Sequence, residues 1–129
     1  MLDKEGRTVL IDFGLAHRFC DSKGRHLRDQ SARVFKGTVM FCSQNTLLKK
    51  RQSRRDDLES LLYLVIRLCD INLPWQHLAK GYSSKEMCSI RAKMTVGEIE
   101  SGLPKPFKPI YRYVSSLELT AEPDYEKMV

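Results

Sequence analysis

No apolar run in this 129-residue sequence exceeds the six residues 61–66, far short of the roughly 20 needed to span a bilayer. The first residues carry no basic-then-apolar signal pattern. Glycine and proline are scarce, at seven and five residues, and no internal repeat is evident, which excludes collagen-like and low-complexity chains. Cysteine is sparse too: Cys20, Cys42, Cys69 and Cys88 stand 22, 27 and 19 residues apart, with no C-x-x-C pair for a zinc ribbon or redox dithiol. Reduced thiols and an intracellular setting, cytoplasmic or nuclear, are the plain expectation. His17, His26 and His77 lack ligand-like spacing, so no metal site is expected from them.

What the sequence does have is a globular balance. Apolar residues make up 42% and charged residues 29%, enough for one domain that buries about two thirds of its unfolded surface. Lys and Arg outnumber Asp and Glu by 22 to 16, a formal charge of +6 that attracts acidic partners over long range. The densest basic run, Lys49-Lys50-Arg51 with Arg54-Arg55 shortly after, has the composition of a nuclear address or a nucleic-acid patch. Aromatic residues are not interleaved with it and two carboxylates follow at once. A solvated loop before a helix is the better reading, and nucleic acid is not an expected partner.

Along the chain, Asp3-Lys4-Glu5-Gly6 is a turn signal, and the β-branched stretch 8–11 predicts a strand. Residues 12–36 lose periodicity and fill with polar side chains, a length that in a compact domain marks a functional loop. The strongest pattern covers 54–69. Ser53 stands three before Asp56, and Asp56, Asp57 and Glu59 crowd the positive end of a helix. Leu58, Leu61, Leu62, Tyr63, Leu64, Val65 and Ile66 then cover nearly every face, which predicts a helix at the centre of the domain. Ser84 predicts the cap of a further helix, with Met87, Ile90 and Met94 on one stripe. Phe107, Ile110, Val114 and Leu117 predict another, with Pro109 in its first turn. Tyr111 and Tyr113 suit its packing, and Pro123-Asp124 predicts a cap for a last helix from Tyr125.

One string carries chemistry. Asp12-Phe13-Gly14 follows the strand directly, and a long polar loop, Gly37-Thr38 and the hydrophobic helix come after it. In that order these parts resemble the lower lobe of eukaryotic protein kinases. Ser53-Arg54-Arg55-Asp56-Asp57-Leu58-Glu59-Ser60-Leu61 and Leu73-Pro74-Trp75-Gln76 resemble the casein kinase 1 superfamily more closely. Ser43-Gln44-Asn45 stands where that superfamily has Ser-Ile-Asn, and Pro123-Asp124-Tyr125 is similar to its P-D-Y. Phe35-Lys36-Gly37-Thr38-Val39 is similar to the tau-tubulin kinase branch.

The resemblance implies a mainly α fold, with residues 1–129 as a partial kinase C-lobe. A short β-hairpin remnant, an activation segment and helices around the central one would compose it. It implies ATP and Mg²⁺ as cofactors of the full-length protein and hydroxyls of protein substrates as acceptors. Asp12 would hold Mg²⁺ on the ATP phosphates, a hard cation taking oxygen ligands. Gly14 would free the backbone to turn beside the nucleotide, and Phe13 would pack under the site. Thr38 matches the threonine that bridges the catalytic Asp and Lys of the preceding loop. Asp57, with Ser60 as structural support, is similar to the buried aspartate that holds that loop; an exposed helix-start residue is the equal alternative. Lys36, Lys49, Lys50 and Arg51 are substrate-side candidates suited to acidic segments. Met40 stands where casein kinase 1 carries an anion-binding Arg, and a thioether cannot pair a phosphate. Leu62 replaces a common glycine of the family.

The Gly-rich loop, the phosphate-pairing Lys and the H-R-D-x-x-x-x-N loop have no counterpart in residues 1–129. The expectation is a fragment with Met1 internal to a longer frame, inactive alone and marginally folded, exposing an apolar patch. The alternative is a non-catalytic, pseudokinase-like interaction module.

Overall fold

The structure, a computed structural model, describes residues 3–27 and 37–128. Met1 and Leu2 at the start, and Phe35 and Lys36 in the expected activation segment, lie outside these residues. The described chain is mainly helical: α1 (Gln44–Leu47), α2 (Arg54–Leu68), α3 (Ser84–Ala92), α4 (Val96–Gly102) and α5 (Lys108–Ser116), joined by short 3-10 turns.

Helix α2 organises the rest. The Ser53 N–H donates to Asp56 Oδ2 at 2.8 Å, one half of a capping box, and Asp56 and Asp57 occupy the first turn, where the helix dipole is positive. The helix stops at Leu68, and Asp70 beyond it turns left-handed with φ 58°. Its buried positions Asp56, Glu59, Leu62, Tyr63 and Ile66 recur at intervals of one to four residues along one face. The all-round burial that the pattern predicts is corrected here, and the expected apolar patch is found on the same helix: Leu61 is 52% and Leu68 75% exposed, with Leu64 and Val65 open between them. Apolar composition shows that a helix can be buried all round; only its neighbours decide whether it is.

Helix α5 packs along α2. Pro109 sits in its first turn, as the sequence predicts, and Tyr111 and Val114 turn inward. The Tyr63 ring meets Trp75 edge-on, with centroids 4.9 Å apart, and leans on Tyr111 at 6.3 Å, geometry that aromatic quadrupoles favour. Arg54 and Arg55 tie the following segment to α2, donating to the carbonyls of Ala121 and Leu117 at 3.0 Å each. Part of the basic run is therefore structural rather than solvated. Pro123-Asp124 leads into a short 3-10 turn (Tyr125–Met128), and the Asp124 N–H donates to the Tyr113 hydroxyl at 2.6 Å.

Two short helices replace the single stripe expected through Met94. Ser83, one residue before the expected Ser84, caps α3: its N–H donates to Glu86 Oε2 at 2.8 Å and its Oγ accepts from the Glu86 N–H at 3.3 Å. The helix ends at Ala92. Thr95 then starts α4 by the same reciprocal box with Glu98, at 2.7 and 3.2 Å. Thr95-Val96-Gly97-Glu98 carries that signature in sequence, a signal sufficient to place α4. At its far end, a Cβ on Gly102 would lie 2.7 Å from Pro74 Cγ and 2.9 Å from Pro74 Cβ. A proline ring cannot swing aside, so Gly102→Ala is expected to cost about 1–3 kcal/mol, measured by chemical denaturation against the unsubstituted chain.

No strand forms among the described residues, which corrects the strand expected at 8–11; the other arm of the expected hairpin remnant, at Leu2, lies outside them. Thr8 holds a single bridge position, while Leu10 is 84% and Ile11 60% exposed. A strand persists only where a paired neighbour and a covered face support it. Instead, two D-x-x-G-R turns repeat each other bond for bond. Asp3 N–H donates to Arg7 O at 2.9 Å and Asp3 Oδ1 accepts from the N–H groups of Glu5 and Arg7. Asp21 N–H donates to Arg25 O at 2.9 Å and Asp21 Oδ1 accepts from those of Lys23 and Arg25. Gly6 (φ 79°) and Gly24 (φ 74°) supply the left-handed position in each. The second turn carries a Cys20–His26 bridge, so the loop expected from 12 onward contains an ordered unit. No helix of the described residues is long and apolar enough to cross a membrane.

Candidate functional site

The kinase-like residues lie on separate elements of the described chain. Asp12 has left-handed backbone angles (φ 61°, ψ 74°), and its Oδ1 accepts from the Gly14 N–H at 3.3 Å, capping the 3-10 turn Phe13–Leu15. Few non-glycine residues hold this conformation, and aspartate is among those that tolerate it best. Phe13 is 70% exposed rather than packed under a site, and Gly14 is exposed. Thr38 is exposed; its carbonyl accepts from the N–H groups of Phe41 and Cys42 at 3.1 Å each. Lys49 (φ 56°) and Lys50 are exposed and Arg51 is half-buried. Among the described residues no hydrogen bond or ion pair joins Asp12 to Thr38, Lys49, Lys50 or Arg51.

On α2, Asp57 is exposed and Ser60 half-buried. Partial desolvation, then the neighbouring Asp56 charge, holds the Asp57 carboxyl above the usual range. The buried carboxylate is Asp56, only 2% exposed.

What the structure does assemble is a polar lattice beneath residues 39–46. Ser43 begins α1; its Oγ accepts from the Thr46 N–H at 3.1 Å and donates to Asp56 Oδ1 at 2.7 Å. The Asn45 amide donates to the same oxygen at 3.1 Å. Gln44 N–H donates to Glu59 Oε1 at 3.0 Å, and the Tyr63 hydroxyl reaches that oxygen at 2.7 Å. Burial pushes the Glu59 carboxyl up, while these two donors pull it down. The Gln44 side-chain amide donates to the carbonyls of Arg91 and Met94 at 3.0 and 2.9 Å.

Arg91 is fully buried. One guanidinium nitrogen donates to Val39 O and the other to Cys42 O, the latter at 3.0 Å. The group lies 3.7 Å from the centre of the Trp75 ring, and Trp75 Nε1 donates to Met40 O at 2.9 Å. Desolvation lowers the Arg91 pKa, yet a guanidinium stays charged in proteins. The segment after Thr38 thus takes its shape from Asp56, Trp75 and Arg91. The sequence patterns do not single out these positions as site residues. Asp56 and Glu59, three apart on one helix face, are the available signal; nothing local marks Arg91.

Cys42 sits inside this lattice, where burial pushes its thiol up to about 11. At pH 8 about one such thiol in a thousand is a thiolate, the form that alkylates. Iodoacetamide is therefore expected to modify the exposed Cys69 first and Cys42 only on unfolding, as read by peptide mass mapping.

Among the described residues no group of three or more His, Cys, Asp and Glu is placed to hold a metal ion. Asp12 presents an exposed carboxylate whose hydrogen bond to the Gly14 N–H uses Oδ1. It fits Mg²⁺ as one ligand in a sphere completed by phosphate and water oxygens, the usual manner of Mg²⁺ binding, and not as a cage.

No family model matches the sequence. Among curated proteins, the chain is similar to the casein kinase 1-like protein HD16 of Oryza sativa subsp. japonica, 36% identical over 127 residues, 97% of this chain and 18% of that protein. It is similar to casein kinase I homolog 2 of Schizosaccharomyces pombe, 36% identical over 122 residues, covering 92% and 28%. It is also similar to a probable casein kinase I homolog of Encephalitozoon cuniculi, 32% identical over 130 residues, covering 97% and 41%. The chain spans between 18% and 41% of the length of these relatives. Similarity at 32–36% identity along nearly the whole chain supports membership of the casein kinase 1 family.

Proposed function

We propose that the chain is part of a casein kinase 1-like Ser/Thr protein kinase whose full-length form transfers the ATP γ-phosphate to protein hydroxyls. The observation that carries this reading is similarity to casein kinase 1 proteins along 92–97% of the chain. In this reading Asp12 holds Mg²⁺, which when bound with ATP neutralises charge developing on the transferred group. Gly14 and Phe13 shape the turn beside it. Thr38 orients the groups of a catalytic loop that residues 1–129 do not carry, and Asp57 with Ser60 supports that loop from α2. Lys36, Lys49, Lys50 and Arg51 draw acidic segments of protein substrates toward the lobe. Phe35-Lys36-Gly37-Thr38-Val39 favours the tau-tubulin kinase branch, and Met40 removes an Arg that would select phosphorylated substrates. The compartment is cytoplasm or nucleus.

The test uses the longest natural product containing these residues, assayed for γ-phosphate transfer to an acidic protein. Asp12→Asn is expected to bring phosphate incorporation to background without shifting thermal unfolding, since Asp12 is exposed. Undiminished incorporation in this variant would overturn the assignment of Asp12. A second reading, a non-catalytic interaction module, is favoured by one observation: the ordered polar lattice shapes residues 39–46, whereas Asp12 and Thr38 stand exposed. Background incorporation by the unsubstituted product would favour that reading.

A further inference from the structure

Between α1, the α3–α4 junction and α5 lies a cleft of about 330 Å³, within the size range of ligand sites. Neither Asp12 nor Thr38 borders it. Two of its walls are large apolar side chains left open: Leu48, 45% exposed, after α1, and Val96, 49% exposed, at the start of α4. Single exposed apolar residues are ordinary. Two that line the same concavity, with Met94 and Leu117 also lining it, form a surface that an apolar group can fill.

The polar lining is unevenly satisfied. Glu59 is engaged by the Gln44 N–H and the Tyr63 hydroxyl. Arg55 is engaged by Leu117 O and lies 3.6 Å from Asp56 Oδ2. Lys50 uses its backbone N–H on Asn45 O at 2.9 Å, and its side chain is exposed. Gln44 spends its amide nitrogen on three carbonyls, and its Oε1 is buried behind the lining. The cleft therefore offers one exposed cation beside apolar walls.

We propose that this cleft docks a short extended peptide of a protein partner, one carrying an acidic residue next to a large apolar residue. The carboxylate pairs with Lys50 in a charge-assisted hydrogen bond, and the apolar side chain lies between Leu48 and Val96. A free small anion would satisfy Lys50 and leave the walls open. The net charge of +6 brings an acidic segment toward this surface. Docking needs neither nucleotide nor Asp12, so it stands apart from the phosphoryl-transfer reading.

The experiment is a fluorescence-anisotropy titration of the 129-residue chain with a labelled peptide Gly-Asp-Glu-Leu-Phe-Gly. A charge-swapped peptide, Gly-Lys-Lys-Leu-Phe-Gly, and one lacking the apolar pair, Gly-Asp-Glu-Ser-Ser-Gly, serve as comparisons. Saturable binding of the first is expected, with both others weaker by about tenfold or more. Lys50→Glu is expected to weaken the acidic peptide about tenfold and to restore the charge-swapped one. Lys85→Glu, exposed on α3 and outside the lining of the cleft, is expected to change binding less than about twofold. Val96→Asp is expected to remove the preference for the apolar pair. Both lysines and Val96 are exposed, so these variants keep their helical circular dichroism. Equal weakening by Lys85→Glu and Lys50→Glu, equal binding of the acidic peptide without its apolar pair, or no saturable binding overturns the proposal.

Discussion

Replacing Arg91 by methionine is expected to lower folding stability by about 3–5 kcal/mol, a large part of the roughly 5–15 kcal/mol that holds a domain together. Methionine keeps much of the stem volume and removes every donor. The carbonyls of Val39 and Cys42 are then left unpaired in the interior, at about 1–3 kcal/mol each. The cation over Trp75 at 3.7 Å is lost as well, worth about 2 kcal/mol when desolvated. Relief from burying a charge offsets a few kcal/mol of this, because no ion pair among the described residues includes Arg91. Arg91→Lys is expected to recover less than half. A compact ammonium cannot serve two carbonyls and lie flat on an indole at once. The denaturation midpoint is the readout; an unchanged midpoint in Arg91→Met would show that the lattice contributes no stability.

Asp56→Asn, nearly identical in shape, is expected to cost about 2–4 kcal/mol. Asp56 Oδ1 accepts from the Ser43 hydroxyl and the Asn45 amide, and Oδ2 from the Ser53 N–H. An asparagine amide presents one oxygen and one NH₂, so in either orientation a donor faces a donor in a site only 2% exposed. Ser43→Ala alone removes one of the three donors and is expected to cost about 1 kcal/mol. Because both changes break the same network, the double variant is expected to lose less than the sum of the two. Thermal unfolding of the four chains completes the cycle, and strict additivity would mean that Ser43 and Asp56 do not cooperate.

Sequence was a good guide wherever a feature is written within a few residues. Helix α2 and its dipole-facing carboxylates, and Pro109 in the first turn of α5, are local patterns, and the structure places them so. Ser83 in place of Ser84, and the separate helix begun by Thr95, follow from capping boxes that are equally local. The stretch 8–11 had the β-branched composition of a strand, but a strand is defined by its neighbour, and composition does not supply one. The one-sided burial of α2 and the role of Arg91 are facts of tertiary assembly. Neither Leu61 nor Arg91 carries a mark that distinguishes the exposed or the buried state from the chain alone. The kinase-like string at Asp12 was legible as a motif, whereas the side chains that shape residues 39–46 act across gaps too long for any periodicity.

Those gaps set an order of events during synthesis. The turns at Asp3 and Asp21 close between residues four apart, so each forms as soon as it leaves the ribosome. The segment after Thr38 must wait: Trp75 reaches Met40 across 35 residues, Gln44 reaches Met94 across 50 and Arg91 reaches Val39 across 52. Long closures are entropically slow to nucleate. A nascent chain that has not yet released α3 therefore carries the Gln44 side-chain amide and the carbonyls of Val39 and Cys42 without their partners, and only the ties from Arg54 and Arg55 to residues 121 and 117 close later still.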